Sequence, residues 1–322
     1  MAPQNQPTEL LPHGKAAIER AARLILDGEP VAMPTETVYG LAADATNAEA
    51  VARVYEAKGR PGFNPLIVHV ADLDAAERLA RFDDGARSAA LAWWPGPLTL
   101  VLPLREESGL APAVTAGLAT VALRCPAHKA MQDLLRACGR PLAAPSANAS
   151  GTISPTSADH VVKSLGEKVR LIVDGGPTEH GIESTIVAFT GGPPRLLRLG
   201  PIPFEEVDAL ASLSGEPGDA AAAAGGVEAP GQLPSHYAPA KPLRLDAAQK
   251  EPDEWLIGFG PVKGDDSLSE SGDLAEAASR LFACLHRAEI QSRARIAVAP
   301  VPRHGLGAAI NDRLSRAAAP RG

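Results

Sequence analysis

Between Phe204 and Pro242 the chain stops reading as folded core. Ser214-Gly-Glu-Pro-Gly218, a small-residue run from Ala220 to Gly226, and Pro230-Gly-Gln-Leu-Pro-Ser-His-Tyr-Ala-Pro239 follow one another with few large apolar residues. Such a stretch is partly flexible and partly stiffened by proline, so it joins folded units rather than belonging to one. The full 322 residues also exceed what one compact core of ordinary size organises. The expected organisation is a tail over 1–13, a large domain over 14–204, a linker over 205–242 and a small domain over 243–322.

Composition excludes several classes. A 45% hydrophobic and 21% charged chain can bury a core and is not disordered as a whole. Lys plus Arg total 31 against 38 for Asp plus Glu, a formal charge of −7, which gives no global attraction to nucleic acid or anionic lipid. The cysteines Cys125, Cys138 and Cys284 are far apart and form no Cys-x-x-Cys pair, so they read as reduced, buried thiols. The first residues lack the basic and apolar pattern of a signal peptide, and no long apolar run is present to span a membrane. A cytoplasmic protein is expected.

Periodicity supplies the elements. Ala17, Ile18, Ala21, Ala22, Leu24 and Ile25 recur at helical spacing before Asp27-Gly28. A strand over Pro30–Met33 follows, then the polar Pro34-Thr-Glu-Thr-Val-Tyr-Gly40, which resembles a strand end opening onto a site. Further helices are expected over 48–58, 71–81, 86–92, 126–138 and 157–165. Strands are expected at Leu66–Val70, Leu98–Leu102, Thr120–Arg124, Leu142–Ala144, Leu171–Asp174, Ser184–Ala188 and Leu196–Arg198. This is an α/β domain of mixed strand direction. After the linker, strands at Glu254–Phe259 and Ile296–Val301 and helices at Leu274–Ile290 and Leu306–Ala318 make a small second α/β domain.

No Walker-type phosphate loop, His-Glu-x-x-His or Gly-x-Ser-x-Gly is present, and the glycines around Gly258 and Gly260 have the wrong spacing for a dinucleotide fingerprint. The chemistry instead collects at strand ends, where open α/β sheets bind ligands. Lys58 and Arg60 flank a glycine ahead of Asn64, between a helix and a strand ending in His69. Thr120 and Arg124 lie four apart on one strand and so share a face. Ala144-Pro-Ser146-Ala-Asn148 and the following Ser154 are small and hydroxyl-rich, suited to close approach of phosphate oxygens. Glu183-Ser184 and Arg198 close the set, and arginine can clamp a phosphate in bidentate fashion.

Pro34-Thr-Glu-Thr-Val-Tyr-Gly40, Lys58-Gly-Arg-Pro61, Asn64-Pro-Leu-Ile-Val-His69, Trp94-Pro-Gly-Pro-Leu-Thr99, Ala144-Pro-Ser-Ala-Asn148 and Gly181-Ile-Glu-Ser-Thr185 resemble, in order, the L-threonylcarbamoyladenylate synthase family. The linker motif Ser235-His-Tyr-Ala-Pro239 and the α/β tail are similar to its long, two-domain form. The resemblance implies a YrdC-like catalytic domain with a twisted mixed sheet and helices, a linker with an active-site lid, and a small Rossmann-like α/β domain. It implies synthesis of L-threonylcarbamoyl-AMP from L-threonine, bicarbonate or carbon dioxide, and ATP, with release of pyrophosphate, the first step of a tRNA modification. Carried over residue by residue, it assigns Thr37, His69, Arg124, Ala144 and Ser184 to threonine. It assigns Arg60, Asn64, Thr120, Ser146, Ser154, Arg198 and Tyr237 to ATP, and Lys58 with Arg60 to the reacting groups. It also implies Mg²⁺ carried on phosphate and water without a protein cage, a downstream threonylcarbamoyl transferase as partner, weak contact with tRNA, and no membrane.

Two other readings compete. A cleft lined with Lys58, Arg60, Arg124 and Arg198 could hold an RNA backbone, against which stand the −7 charge and the lack of an aromatic stacking platform. Carbamoyl transfer in metallocentre maturation uses a related domain inside larger proteins, with zinc-finger and acylphosphatase segments not found in this sequence.

Overall fold

The computed structural model describes residues 7–213, 227–233 and 235–320. The small-residue run and the Ser-Gly-Glu-Pro-Gly stretch of the expected linker, and the first six residues of the expected tail, lie outside the described residues. In chain order the elements are β1 (Glu9–Pro12), α1 (Lys15–Leu26), β2 (Val31–Met33), β3 (Gly40–Asp44), α2 (Ala48–Lys58), β4 (Ile67–His69), α3 (Leu73–Leu79) and α4 (Asp84–Trp93). Then follow β5 (Leu98–Pro103), α5 (Pro112–Thr115), β6 (Thr120–Arg124), α6 (Lys129–Cys138), β7 (Leu142–Ala143), α7 (Ala158–Leu165), β8 (Leu171–Asp174), β9 (Thr185–Ala188), β10 (Arg195–Arg198) and α8 (Phe204–Leu213). The C-terminal part comprises β11 (Leu243–Arg244), β12 (Glu254–Gly258), β13 (Asp266–Ser267), α9 (Leu274–Glu289), β14 (Arg295–Val298) and α10 (Leu306–Ala318).

Among the described residues two sheets form. The larger runs β1-β8-β2-β3-β7-β4-β6-β5-β9-β10, and the smaller runs β11-β14-β12-β13. The larger is mixed: β4 and β6 are parallel, as are β5 and β9, while β2 with β3, β5 with β6 and β9 with β10 are antiparallel. The smaller is parallel throughout. Side chains alternate across the large sheet. Val31, Met33, Leu171 and Val173 pack under α1 and α6, whereas Ala32, Leu41 and Ile172 pack under α2 and α7. Side-chain caps start several helices: Asn47 accepts from Glu49 and Ala50 N–H before α2, and Asp72, Asp83 and Asp273 do the same for α3, α4 and α9. Each such cap stabilises its helix by about 1 kcal/mol.

The two parts share a core. Val38, Ile153 and Ile182 of the large domain pack in one cluster with Tyr237 of the linker and with Ile257, Leu281, Phe282 and Ile310 of the small one. Gly181 makes that docking possible: its φ is 68°, and a Cβ there would collide with the backbone of Ser279 in α9.

Two boundaries differ from expectation, and one strand is unexpected. Glu9–Pro12, expected as tail, form edge strand β1 because they pair in parallel with Leu171–Asp174. Phe204–Leu213, expected to open the linker, are helix α8, whose Val207 and Ala211 bury beside α4. Gly40–Asp44 form β3 although Gly-Leu-Ala-Ala-Asp carries no β-branched residue, because the strand is held by buried pairing on both sides. The three cysteines are buried and unpaired, and burial raises each thiol pKa, to about 11 for Cys125 and about 12 for Cys138 and Cys284. No helix among the described residues is long and apolar enough to cross a membrane.

Candidate active site

One face of the β4-β6-β5-β9-β10 half-sheet carries the apolar floor Ile67, Ala122, Ile186 and Ala188. On β6 the period of two puts Arg124 on the same face as Ala122. On β10 alternation alone would not do this for Arg198, since Leu196 pairs with Val187, which packs on the opposite side of the sheet. A one-residue bulge at Leu197 pairs Arg198 with Ile186 and so turns the guanidinium to the floor side. The loop after β2 supplies the third wall. Thr35 Oγ1 donates to Val38 O at 2.7 Å and accepts from the amides of Thr37 and Val38, a turn that explains why 34–39 is polar without being exposed.

These walls border an open pocket, about 550 Å³ with the solvent at its mouth included, lined by Thr37, Arg60, His69, Arg124, Ala144, Ser146, Glu183 and Arg198, among others. Pro230, Gly231, His236 and Tyr237 of the linker complete it. Gly231, at φ 90°, lies so close that a Cβ would stand 2.9 Å from the Tyr237 hydroxyl and 3.0 Å from Arg198 Cδ. Tyr237 is fully buried, and at φ 63° it occupies the left-handed region that a non-glycine residue enters at a cost of about 1–3 kcal/mol.

The electrostatics are lopsided. Arg60, Arg124 and Arg198 converge on the same small volume, with Lys58 buried behind them. Burial, and then the charge of Arg60, push the Lys58 amine well below its ordinary pKa; burial lowers Arg60 to about 10 and also lowers Arg198. Cations held this way are unfavourable until an anion joins them. Two carboxylates face the cluster, and each is held by an arginine. Burial pushes both pKa values up, yet Arg124 holds Glu36, and Arg313 then Arg198 hold Glu183, below the usual carboxylate range. Arg124 Nη2 donates to Glu36 Oε1 at 2.5 Å and Nη1 to Thr37 Oγ1 at 2.9 Å, while Nε donates to Gly96 O at 3.3 Å. Arg198 donates to Ser184 O, Ser184 Oγ and Pro230 O. Each guanidinium has five N–H groups, so after these bonds both keep N–H groups for a ligand. His69 is buried with its Nδ1 unpartnered, and burial drives its pKa to about 3, so a neutral imidazole faces the pocket.

The residues singled out from sequence therefore divide. Thr37, Arg60, His69, Arg124, Ala144, Ser146, Arg198 and Tyr237 line the pocket. Ala144 cannot donate to a ligand there, because its N–H is engaged by Ile67 O at 3.0 Å. Lys58, Asn64, Ser154 and Ser184 stand behind the wall. Lys58 is the last residue of α2 rather than part of a loop, and its ammonium donates to Ser146 O and Asn148 O at 2.5 Å. It pins the Ser146–Asn148 loop instead of facing the cavity. Asn64 accepts from Arg60 through Oδ1 at 2.8 Å, Ser154 donates to Glu183 at 2.6 Å, and Ser184 accepts from Arg198 at 3.1 Å. Thr120 lies outside the lining, at the far end of the β6 face that carries Arg124. The family resemblance assigns no role to Glu36, Glu183 or His236, although all three fall inside the motifs quoted above.

The fold and pocket define an α/β protein built to hold an anionic ligand beneath a linker. Comparison with known proteins narrows this. Residues 23–200 match the Sua5_yciO_yrdC family, described as telomere recombination, and residues 202–319 match the threonylcarbamoyl-AMP synthase C-terminal domain. The chain is 39% identical to the threonylcarbamoyl-AMP synthase of Pyrococcus abyssi, over 93% of each chain, and 38% identical to that of Bacillus subtilis, over 98% of this chain and 96% of the relative. It also matches the crystal structure of P. abyssi Sua5 complexed with L-threonine, with a TM-score of 0.86 at 36% identity, covering 97% of this chain and 98% of that one. This chain belongs to the threonylcarbamoyl-AMP synthase family. A full-length match to synthases favours an enzyme over an RNA-binding module.

Proposed function

We propose that the protein makes L-threonylcarbamoyl-AMP from L-threonine, bicarbonate or carbon dioxide, and ATP, releasing pyrophosphate. The observation that carries this reading is the convergence of Arg60, Arg124 and Arg198 with a neutral histidine and threonine hydroxyls in one linker-covered pocket. The N–H groups that Arg124 keeps free suit a carboxylate, and the His69 ring with Thr37 suits the substrate hydroxyl. Arg60 and Arg198 suit the triphosphate, with Asn64 and Ser184 fixing their directions and Lys58 fixing the Ser146 loop. Thr120, at the outer end of the same strand face, meets the nucleotide where it leaves the pocket.

In this reading the threonine amine adds to carbon dioxide and loses a proton to solvent, giving a carbamate. A carbamate oxygen attacks the α-phosphorus, the bond to the bridging oxygen breaks, and pyrophosphate leaves with the electron pair. The protein contributes positioning and preset positive charge rather than a covalent intermediate. Glu36 and Glu183 are already bound by arginines, and the described residues contain no group of three metal-ligating side chains, so they do not form a magnesium cage. A magnesium ion accompanying ATP would be held by the triphosphate oxygens and water, and would offset their charge. The linker acts as a lid that shields the carbamate, and a transferase that modifies tRNA consumes the product in the cytoplasm.

The test is mass analysis of the product formed with ¹³C-bicarbonate. Label in a threonylcarbamoyl-AMP species is expected, and unlabelled AMP as the sole nucleotide product would refute the reading.

A further inference from the structure

Arg313, on helix α10 of the C-terminal domain, is 1% exposed, and besides its neighbour Asp312 it meets residues from two other parts of the chain. Its Nε donates to Glu183 Oε2 at 3.0 Å and its Nη1 to Asp312 Oδ2 at 3.1 Å, while its guanidinium carbon lies 5.6 Å from the centre of the Tyr237 ring. Nη2 is buried without a partner. The same helix holds the linker, since Arg316 Nη1 donates to Leu233 O at 2.7 Å and Arg316 O accepts from His236 N–H. Glu183, in turn, lines the pocket beside Arg198 and accepts from Ser154 at 2.6 Å.

A buried carboxylate next to an arginine meant for phosphate poses a problem. It attracts that arginine and repels the incoming anion. We propose that Arg313 is a positioning residue that neutralises Glu183 from the C-terminal domain, and so keeps Arg198 available for the nucleotide. The second domain thus completes the charge pattern of a site that lies in the first. Glu183 is below the usual carboxylate range, with burial opposing this and Arg313 the largest favourable contribution, ahead of Arg198. The groups facing Glu183 are Arg313 and Asp312 from α10, Arg198 from β10, His236 and Tyr237 from the linker, and Ser154. Asp312 is shared with Arg316 at 3.0 Å, which leaves Arg313 the closer match for Glu183.

This inference rests on the nucleotide reading of the pocket, which threonine- and bicarbonate-dependent pyrophosphate release by the unaltered chain tests separately. The experiment compares KM for ATP and for threonine in Arg313→Met, Arg313→Lys and the double variant Arg313→Met/Glu183→Gln. Arg313→Met is expected to raise KM for ATP at least tenfold and KM for threonine less than threefold. Arg313→Lys should recover most of the loss. The double variant should return KM for ATP to within threefold of the unaltered chain, because removing the uncompensated carboxylate removes the competition for Arg198. Should Arg313→Met not fold, recovery of both folding and ATP KM in the double variant reads the same coupling. A double variant as impaired as Arg313→Met, or equal rises in both KM values, overturns the proposal.

Discussion

The molecule contains two α/β sheets that treat buried charge in opposite ways. The small parallel sheet has the architecture in which ligands commonly lie beyond the strand ends. Its buried Glu254 is nonetheless matched, gripped by Arg244 at 2.6 Å, and its half-buried Asp266 is held by Arg287 at 2.7 Å. The large mixed sheet has the less regular topology, but it gathers Arg60, Arg124 and Arg198 around a pocket that among the described residues is lined by one carboxylate, Glu183, held by Arg313, while Glu36, outside the lining, is paired with Arg124. In the proposed function, an excess of desolvated charge of one sign, rather than strand order, marks where the ligand goes. Helix α10, packed beside the small sheet, contributes Arg313, which in the proposal above settles a charge in the large domain.

The sharpest way to break this comparison is to remove a cation from the large-sheet pocket. Arg124→Ala takes away the proposed partner of the substrate carboxylate and strands Glu36, and losing one partner of a desolvated charge pair costs about 2–5 kcal/mol of binding. Steady-state kinetics should show kcat/KM for threonine falling by about 30- to 5,000-fold. A loss under tenfold would separate Arg124 from the substrate.

Substrate choice sharpens the same point. A pocket built to hydrogen-bond a hydroxyl rejects an analogue lacking it by about 10⁴-fold, whereas one missing methyl costs only about 1–3 kcal/mol. Valine should therefore be excluded far more strongly than serine in competition assays. Equal turnover of the two contradicts the contacts assigned to Thr37 and His69.

The linker is tested by Tyr237→Ala, which removes the ring buried between Arg313, His236 and Phe282. Several-fold more ATP should be required, or intermediate should be lost to hydrolysis and show as AMP in excess of product. Unchanged kinetics and yield remove the lid.

In the small sheet the effect should be on stability alone. The Arg244 hydrogen bond leads the causes that hold Glu254 down to about 2, against its ordinary 4.5. A carboxylate whose pKa is depressed in the folded state stabilises fully above its unfolded value, and that contribution is lost as pH falls from about 4.5 to about 2. Glu254→Gln should flatten the acid limb of the melting-temperature profile while leaving kcat/KM at neutral pH within twofold. The smallest change belongs to Thr120→Val, where loss of one hydrogen bond to nucleotide costs about 0.5–1.5 kcal/mol and so raises KM for ATP by about two- to tenfold. A larger rise in KM for threonine than for ATP would reverse its assignment.

Much of this was legible in the residues, for reasons that differ by position. The apolar periodicities of α1, α2 and α10 and the strand at Thr120–Arg124 are local signals, and the structure follows them closely. The β3 strand was not legible, because Ala42 and Ala43 owe their conformation to neighbours on both sides rather than to propensity. Helix α8 was hidden by the composition change that begins beside it. Within the site, the motifs pointed to chain segments that line the pocket or pack behind it, but not to each side chain's contacts. Lys58 looked like a pocket cation, and only the distances to Ser146 O and Asn148 O show it holding a loop. Arg313 gave no signal, since its partner Glu183 is 130 residues away and a single arginine on an amphipathic helix reads as surface.

The account turns on whether the crowded cations of the large sheet serve a nucleotide and an amino acid together. Pyrophosphate release from ATP, measured with L-threonine and bicarbonate supplied singly and jointly, tests that directly. Release is predicted only when both are present. Release indifferent to threonine, or tight RNA binding with no release at all, would contradict it.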